Sequence, residues 1–530
     1  MVKFSKNAQT VLKKRYLLRN DQGRIIETPD QLLRRVARAI ARSRSEERQF
    51  YEVMSRLEFL PNSPTLMNAG TDIGQLSACF VVPVPDSLEG IFEAVKDMAL
   101  IQQSGGGTGF SFSRLRPKGD VVKTTHGVAS GPVSFMHVFD ETTEIIKQGG
   151  KRRGANMGIL SVDHVDILEF ITSKRVGEVL RNFNISVAAT DEFMRAVKKG
   201  KKIALKNPRT KKKVISVSAR KIFDLIVDSA WQTGDPGMIF LDEINRRHPL
   251  KTLGEIEATN PCGEQPLLPY ESCNLGSINL AKMVKEGGID WNKLRATVRI
   301  AVRFLDNVID ANKYPLLQIG QNAKANRKIG LGVMGFAEML IKLGKRYDSQ
   351  EALKLAEKLM RFIQAEGRRM SVELGKKRGS FPNFKKSIWF KKRYPAMRNA
   401  TVTTIAPTGS ISLIAGCTSG IEPLFSLAFI KEVLGGVKLV HKYKPSEAAV
   451  TAFEIEPEWH VRMQAAFQKF TDNAVSKTVN LPAKATRKEV KKAFLLAHQL
   501  KCKGITVYRY GSKPKQVLYT EDSGEPCCEI

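Results

Sequence analysis

An α/β fold is predicted for this chain by three observations. Segments with apolar residues at helical spacing alternate with short apolar runs through most of the length, the pattern of helices laid on a sheet. Hydrophobic residues make up 42% of the 530, enough to bury a sizeable core and to exclude global disorder. No internal repeat or long low-complexity linker interrupts the alternation, and at roughly 150 residues per domain the length suits about three domains or one large α/β unit with insertions.

In chain order, the first clear helix is expected to open at Thr28-Pro29-Asp30, where an N-cap hydroxyl precedes a proline at the first helical position and an acid in the first turn. Leu32, Leu33, Val36, Ala37 and Ile40 then recur at helical spacing, so 28–58 reads as helical and 1–60 as a small helical N-terminal region. The same spacing predicts helices over 88–103, 132–147, 161–172, 219–232, 294–312, 332–344, 350–375, 458–470 and 486–500. Strands are expected at 77–82, 109–113, 183–188, 237–241, 402–405, 476–480 and 504–508. Between 198 and 221, two lysine-rich runs flank Asn207-Pro208 and read as an exposed β-hairpin with a solvated basic face.

The charge narrows the function classes. Lys and Arg number 85 against 53 Asp and Glu, a net +32, which points to an anionic partner: nucleic acid, nucleotide, phosphate or an anionic membrane surface. No run of about 18 apolar residues suggests a membrane span, and the N-terminus lacks the apolar core of a signal peptide, so a cytoplasmic protein is expected. The seven cysteines (Cys79, Cys262, Cys273, Cys417, Cys502, Cys527 and Cys528) are too few for a disulfide scaffold. No C-x-x-C occurs and metal-ligand spacing is absent, so no metal site is expected. None of the seven histidines sits in a motif that would partner a catalytic cysteine.

Chemistry concentrates in a few segments. Asn260-Pro261-Cys262-Gly263-Glu264 is excluded from a helix interior by Pro261 and Gly263, so it forms a tight loop. In it a thiol, a carboxylate and an amide alternate and can address one pocket, as nucleophile or hydrogen donor, general base and orienting group. Cys273 follows 11 positions after Cys262. Thr404-Ile-Ala-Pro-Thr-Gly-Ser-Ile-Ser412 follows an apolar run, and its hydroxyls Thr408 and Ser410 around Gly409 suit a phosphate. Ser104-Gly105-Gly106-Gly107-Thr108-Gly109 permits close backbone approach to a ligand, but matches neither a dinucleotide-binding nor a P-loop pattern. Asn62-Ser63-Pro64-Thr65-Leu66 and Ser77-Ala78-Cys79-Phe80 form a further segment, with Cys79 in an apolar strand.

These motifs, in this order, resemble the catalytic subunit of ribonucleotide reductases, most closely the adenosylcobalamin-dependent class II, from about Lys6 to Leu518. The resemblance implies a ten-stranded α/β barrel over 61–515, a finger loop near 260–264 through its centre, and a cysteine-bearing tail at 516–530. It implies that Cys262 is the thiyl radical site, Glu264 the base for the ribose 3′-hydroxyl, Asn260 an orienting residue, and Cys79 with Cys273 the reducing pair that closes to a disulfide. Such a pair needs Cα atoms about 4.4–6.8 Å apart. Substrate contacts are implied for Ser63, Ala78, Cys79, Gly107, Asn260, Cys262, Glu264 and, at the phosphates, Pro407, Thr408, Gly409, Ser410 and Ile411. Deoxynucleoside triphosphate effectors are implied at Asp86 and Arg116 and at the loop Gly149–Asn156 with Lys151, Arg152 and Arg153, beside a homodimer interface on helices 88–103 and 132–147.

Class II is favoured over class I because the adjacent tyrosines of a radical relay are interrupted here, in Val507-Tyr508-Arg509-Tyr510-Gly511. A glycyl radical motif is not found, and residues 1–60 leave no room for an activity-switch domain, so none is expected. Cys527 and Cys528 are expected to relay electrons from thioredoxin or a similar dithiol. The expected activity is reduction of ribonucleoside diphosphates with adenosylcobalamin. The alternatives are a class I large subunit that needs a separate small subunit and, more distantly, a basic nucleic-acid-binding protein on an inactive reductase fold. No aromatic residues interleave the surplus cations, so base stacking on nucleic acid is not expected and most of the +32 is left to surface steering.

Overall fold

The computed structural model describes residues 2–121, 127–146, 154–175, 177, 179–433, 436–512 and 518–520. The chain divides into two compact units: Met1–Ala78 with Ser272–Asn480 and Lys513–Ile530, and Cys79–Glu271 with Leu481–Ser512.

In the second unit, Cys79–Val81, Gly107–Ser111, Asn156–Ser161, Phe183–Ala189 and Gly237–Phe240 pair side by side in sequence order, all parallel. Parallel neighbours need crossovers, and helices Leu88–Gln103, Pro132–Ile145, Ile167–Thr172 and Ala219–Thr233 lie in the connections. Gly504–Arg509 adds an antiparallel strand on Gly237–Phe240. Phe110, Phe112, Phe139 and Phe183 pack edge-on and tilted between sheet and helices, with centroids 4.9–6.5 Å apart.

The first unit opens with the N-terminal helices. Thr28 caps Pro29–Ile40 and forms a reciprocal capping box with Gln31, and Ser43 caps the next helix, Arg44–Ser55. Ser272–Asn279, buried at every position, takes Phe59–Pro61 antiparallel and Ile329–Met334 parallel. Parallel bridges extend the array from Leu331 to Thr403 and from Ile405 to Val475. The long helices Trp291–Ala311 and Gln350–Arg378 lie in the connections. Fully buried Asp306 is held by Arg327, Arg378 and Arg398, so the charge taken from water is matched by donors.

The mixed α/β class with a helical N-terminal region is as expected, and helix Leu88–Gln103 has the expected bounds. The lysine-rich excursion is a hairpin, Lys202–Lys206 against Lys213–Ser218, and its turn is tied down by Asp120, which accepts from Asn207 and Arg209. Two expected helices lose at least their first four residues. Of 332–344 only Phe336–Lys342 is helical, because Ile329–Met334 is a strand buried on both faces and its apolar run carries no period. Of 161–172 only Ile167–Thr172 is helical: the His164 imidazole, bonded to Leu115 O and to the N–H of Asp166, holds the entry as a turn. Asn156–Ser161, Ser272–Asn279 and the hairpin Ala428–Val433/Val437–Lys442 are strands that the pattern did not predict. Among the described residues no helix is long and apolar enough to cross a membrane.

Candidate active site

Residues 258–267 form a small hairpin, Ala258–Thr259 paired antiparallel with Pro266–Leu267. Its turn closes by Gly263 N–H donating to Asn260 O (3.0 Å) and Asn260 N–H to Gln265 O (3.2 Å). Gly263 takes φ +78°, the left-handed region that glycine enters at no steric cost. The hairpin lies directly on the strand Gly107–Ser111. A Cβ on Gly109 would fall 1.7 Å from Thr259 O, and one on Gly107 would meet the Pro261 ring at 3.0 Å. The glycine-rich stretch is thus the seat of the loop, and Asn184 secures the loop from another strand by donating to Pro261 O (3.0 Å).

This seating decides which way the loop residues face. Asn260 and Glu264 are buried. Oδ1 of Asn260 accepts from Gln265 N–H at 2.9 Å, so Nδ2 must be the end that reaches Sγ of Cys79, at 3.1 Å. The buried Cys79 thiol in turn donates to Oε1 of Glu264, with S···O 3.7 Å. Cys79 begins its strand beside Gly107, the two being paired in register, which places the thiol at the foot of the loop. Cys262 is exposed at the loop's tip, and the position of a Gly263 Cβ has no atom within 4 Å. The structure therefore brings Cys79, Asn260 and Glu264 together and leaves Cys262 accessible.

The remaining substrate and redox candidates lie in the first unit. Cys273 is buried at the head of the strand Ser272–Asn279, its thiol directed at the carbonyls of Asn274 and Lys328 (3.5 and 3.6 Å). Ala78, half-buried, closes the N-terminal segment. Ser63 opens the short helix Ser63–Asn68 behind the cap Asn62, and its hydroxyl meets Tyr16 Oη at 2.8 Å. In Pro407–Ile411, Thr408 sits at φ +57° and its hydroxyl accepts from Gly420 N–H at 2.8 Å. Gly409 has no atom within 4 Å of a would-be Cβ, and the Ser410 hydroxyl accepts from Arg15 at 3.1 Å. Ile411 starts the turn of helix Ile411–Ala415.

Asp86 and Arg116 are ion-paired with each other, Nε to both carboxylate oxygens at 3.0–3.1 Å, and the Arg116 N–H adds a third bond. Lys151, Arg152, Arg153, Cys527 and Cys528 lie outside the described residues. Sequence reasoning passed over Asn156, which closes the loop motif: its amide is buried among Gln102, Thr108 and Thr143 at 2.6–2.8 Å. It also passed over Asn184, Arg15 and Tyr16. Each acts on a partner dozens to hundreds of positions away, so nothing in its own neighbourhood marks it.

A buried thiol bracketed by an amide and a carboxylate, on a parallel α/β scaffold whose loop carries a second, accessible thiol, is a set of groups suited to thiol chemistry. The model of the ribonucleotide reductase barrel domain matches residues 77–449 and 441–508, and that of the ribonucleotide reductase all-alpha domain matches 2–74. The chain belongs to the ribonucleotide reductase family. It is 50% identical to a vitamin B12-dependent ribonucleoside-diphosphate reductase of Thermoplasma acidophilum, over 98% of this chain and 80% of that protein. A protein of the same description from Mycobacterium tuberculosis is 48% identical, over 98% and 81%. The ribonucleoside-diphosphate reductase subunit alpha of Chlamydia muridarum is 30% identical, over 90% of this chain and 56% of its own length.

Proposed function

We propose that the protein reduces ribonucleoside diphosphates to 2′-deoxyribonucleotides by thiyl-radical chemistry, with adenosylcobalamin as the initiating cofactor. The observation that carries this reading is the hairpin that holds Asn260 and Glu264 against the Cys79 thiol while it presents Cys262. The relatives at 48–50% identity are described as vitamin B12-dependent, which favours class II over the class I alternative. Tyr508 and Tyr510 are separated by Arg509, so a relay of adjacent tyrosines has no counterpart here.

An exposed thiol beside a left-handed glycine, with open space at its Cβ position, fits a bulky group approaching the tip. Cys262 is the residue that would face it. Adenosylcobalamin, when bound, supplies the radical that starts the reaction. Cys262, as a thiyl, then takes the ribose 3′-hydrogen and forms an S–H bond. Glu264 accepts the 3′-hydroxyl proton, and Asn260 orients the groups. One of Cys79 and Cys273 protonates the 2′-hydroxyl, which leaves as water, and the other gives its hydrogen to C2′; the pair thereby supplies two electrons and closes to a disulfide, Glu264 returns its proton to the 3′-oxygen, and Cys262 returns its hydrogen to C3′. C–H cleavage at an unactivated carbon calls for a radical, and net reduction calls for a dithiol, so the residue types match the reaction.

In this reading the loop Pro407–Ile411 with Ser63, Ala78 and Gly107 takes the substrate. Asp86, Arg116, Lys151, Arg152 and Arg153 serve deoxynucleoside triphosphate effectors at a homodimer interface, and thioredoxin or a related dithiol reduces Cys79–Cys273 through Cys527 and Cys528. The test is an assay of purified protein with CDP, a dithiol and adenosylcobalamin. dCDP is expected from the wild type and none from Cys262→Ala. Product that appears only with an added small subunit would reverse the class, and product from Cys262→Ala would overturn the mechanism.

A further inference from the structure

The N-terminal region reaches the inferred substrate site through two consecutive side chains. After the helix Lys6–Val11 the backbone widens into a π-type turn, Leu12–Tyr16, a geometry that recurs at functional sites. From this turn Arg15 donates from Nη1 to the Ser410 hydroxyl (3.1 Å), and Tyr16, buried, meets the Ser63 hydroxyl (2.8 Å). Both serines belong to the proposed substrate set, yet they stand 347 positions apart. One turn of the chain therefore fixes two hydroxyls from two distant segments, all within the first unit.

We propose that Arg15 is a substrate-binding residue that recognises the terminal phosphate of the ribonucleotide, and that Tyr16 is the positioning residue for Ser63. The proposal deepens the reading that Pro407–Ile411 takes the phosphates, and rests on it. A guanidinium carries five N–H donors in a planar fork, and the bond from Nη1 to Ser410 places that fork at the loop. Charge-assisted bonds from arginine to phosphate are among the strongest available to a protein. Gly409, next to Ser410, has open space where a side chain would stand, so a phosphate can approach the backbone there. Lys13 and Lys14 are exposed on the same turn and add positive potential. A cation placed at the last phosphate discriminates by phosphate number: it favours a diphosphate over the monophosphate of the same nucleoside.

The experiment measures CDP and CMP binding by calorimetry, and kcat and KM for CDP, on the full-length protein with adenosylcobalamin and a small dithiol. Arg15→Ala is expected to weaken CDP binding and raise KM by about tenfold or more, with CMP affinity changed by less than about threefold and kcat nearly unchanged. Arg15→Lys should restore part of the CDP preference. If Arg15→Ala does not fold, Arg15→Gln, which keeps donors for Ser410 but no charge, carries the same expectation. Equal losses for CDP and CMP would show a merely structural role and overturn the proposal, as would an unchanged CDP affinity. A wild type that neither binds nor reduces CDP would overturn the functional reading itself, and this proposal with it. CDP binding by the wild type with no effect of Arg15 would overturn this proposal alone.

Discussion

The amide of Asn260 donates to the Cys79 sulfur at 3.1 Å while its carbonyl end is held by the N–H of Gln265 at 2.9 Å. The orientation of a side chain at the thiol is thus set by the backbone of its own hairpin.

Asn260→Asp should separate those two roles. A carboxylate still accepts from Gln265 but cannot donate to sulfur, so the hairpin should persist while kcat falls by about ten- to hundredfold. Asn260→Ala should lose the same activity and also about 1–3 kcal/mol of stability, because the buried Gln265 N–H loses its acceptor. Turnover and thermal melts of the two variants check this; an Asp variant with wild-type kcat would remove Asn260 from the chemistry.

Gly109→Ala tests the seat of the loop. The new methyl would collide with Thr259 O, which is backbone and cannot rotate away, so the hairpin must lift from its strand. The expectation is a loss of about 1–3 kcal/mol from overpacking, and at least a hundredfold loss of dCDP formation as Asn260 and Glu264 leave Cys79. Retained activity would mean that the hairpin need not lie on Gly107–Ser111 for catalysis.

His441 gives a prediction in pH. Its ring stacks on Phe429 at 4.7 Å, 7° from parallel, and burial, reinforced by the Lys431 charge, pushes the imidazole down to about 4 from 6.5. The folded chain therefore binds the proton less readily than the unfolded chain. The stability this contributes is complete above pH 6.5 and is lost as pH falls toward 4. Melting temperature should drop more steeply across that window in the wild type than in His441→Phe, which keeps the stack and carries no titrating ring. Parallel curves for the two proteins would refute the assignment.

Much of the helical framework was legible because its signals are local. Thr28, Pro29 and Asp30 mark a helix start within one turn, and the apolar spacing of 88–103 needs no distant partner. The hairpin at 202–218 was legible for the same reason, its turn residues lying between two short runs. Ser272–Asn279 was not: a strand buried on both faces shows no alternation, and its Asn, Ser and Gly positions look like loop. The end of Ile329–Met334, residues 332–334, reads as helix for a related cause, since its apolar run continues into a true helix beginning at Phe336.

The sequence by itself determined the chemistry available at the site: a thiol, an amide and a carboxylate within five residues, on a loop that Pro261 and Gly263 keep out of helix. It also determined the family, through motifs whose order along the chain is itself information. Only the tertiary structure decided that Asn260 and Glu264 turn to Cys79 while Cys262 stays exposed, that Gly109 is needed to let a carbonyl lie against a strand, and that Arg15 reaches Ser410. The physical reason is range. Caps, turns and periodicity act within a few residues, whereas Cys79 and Asn260 are 181 positions apart and meet only after parallel strands and their crossovers have been packed.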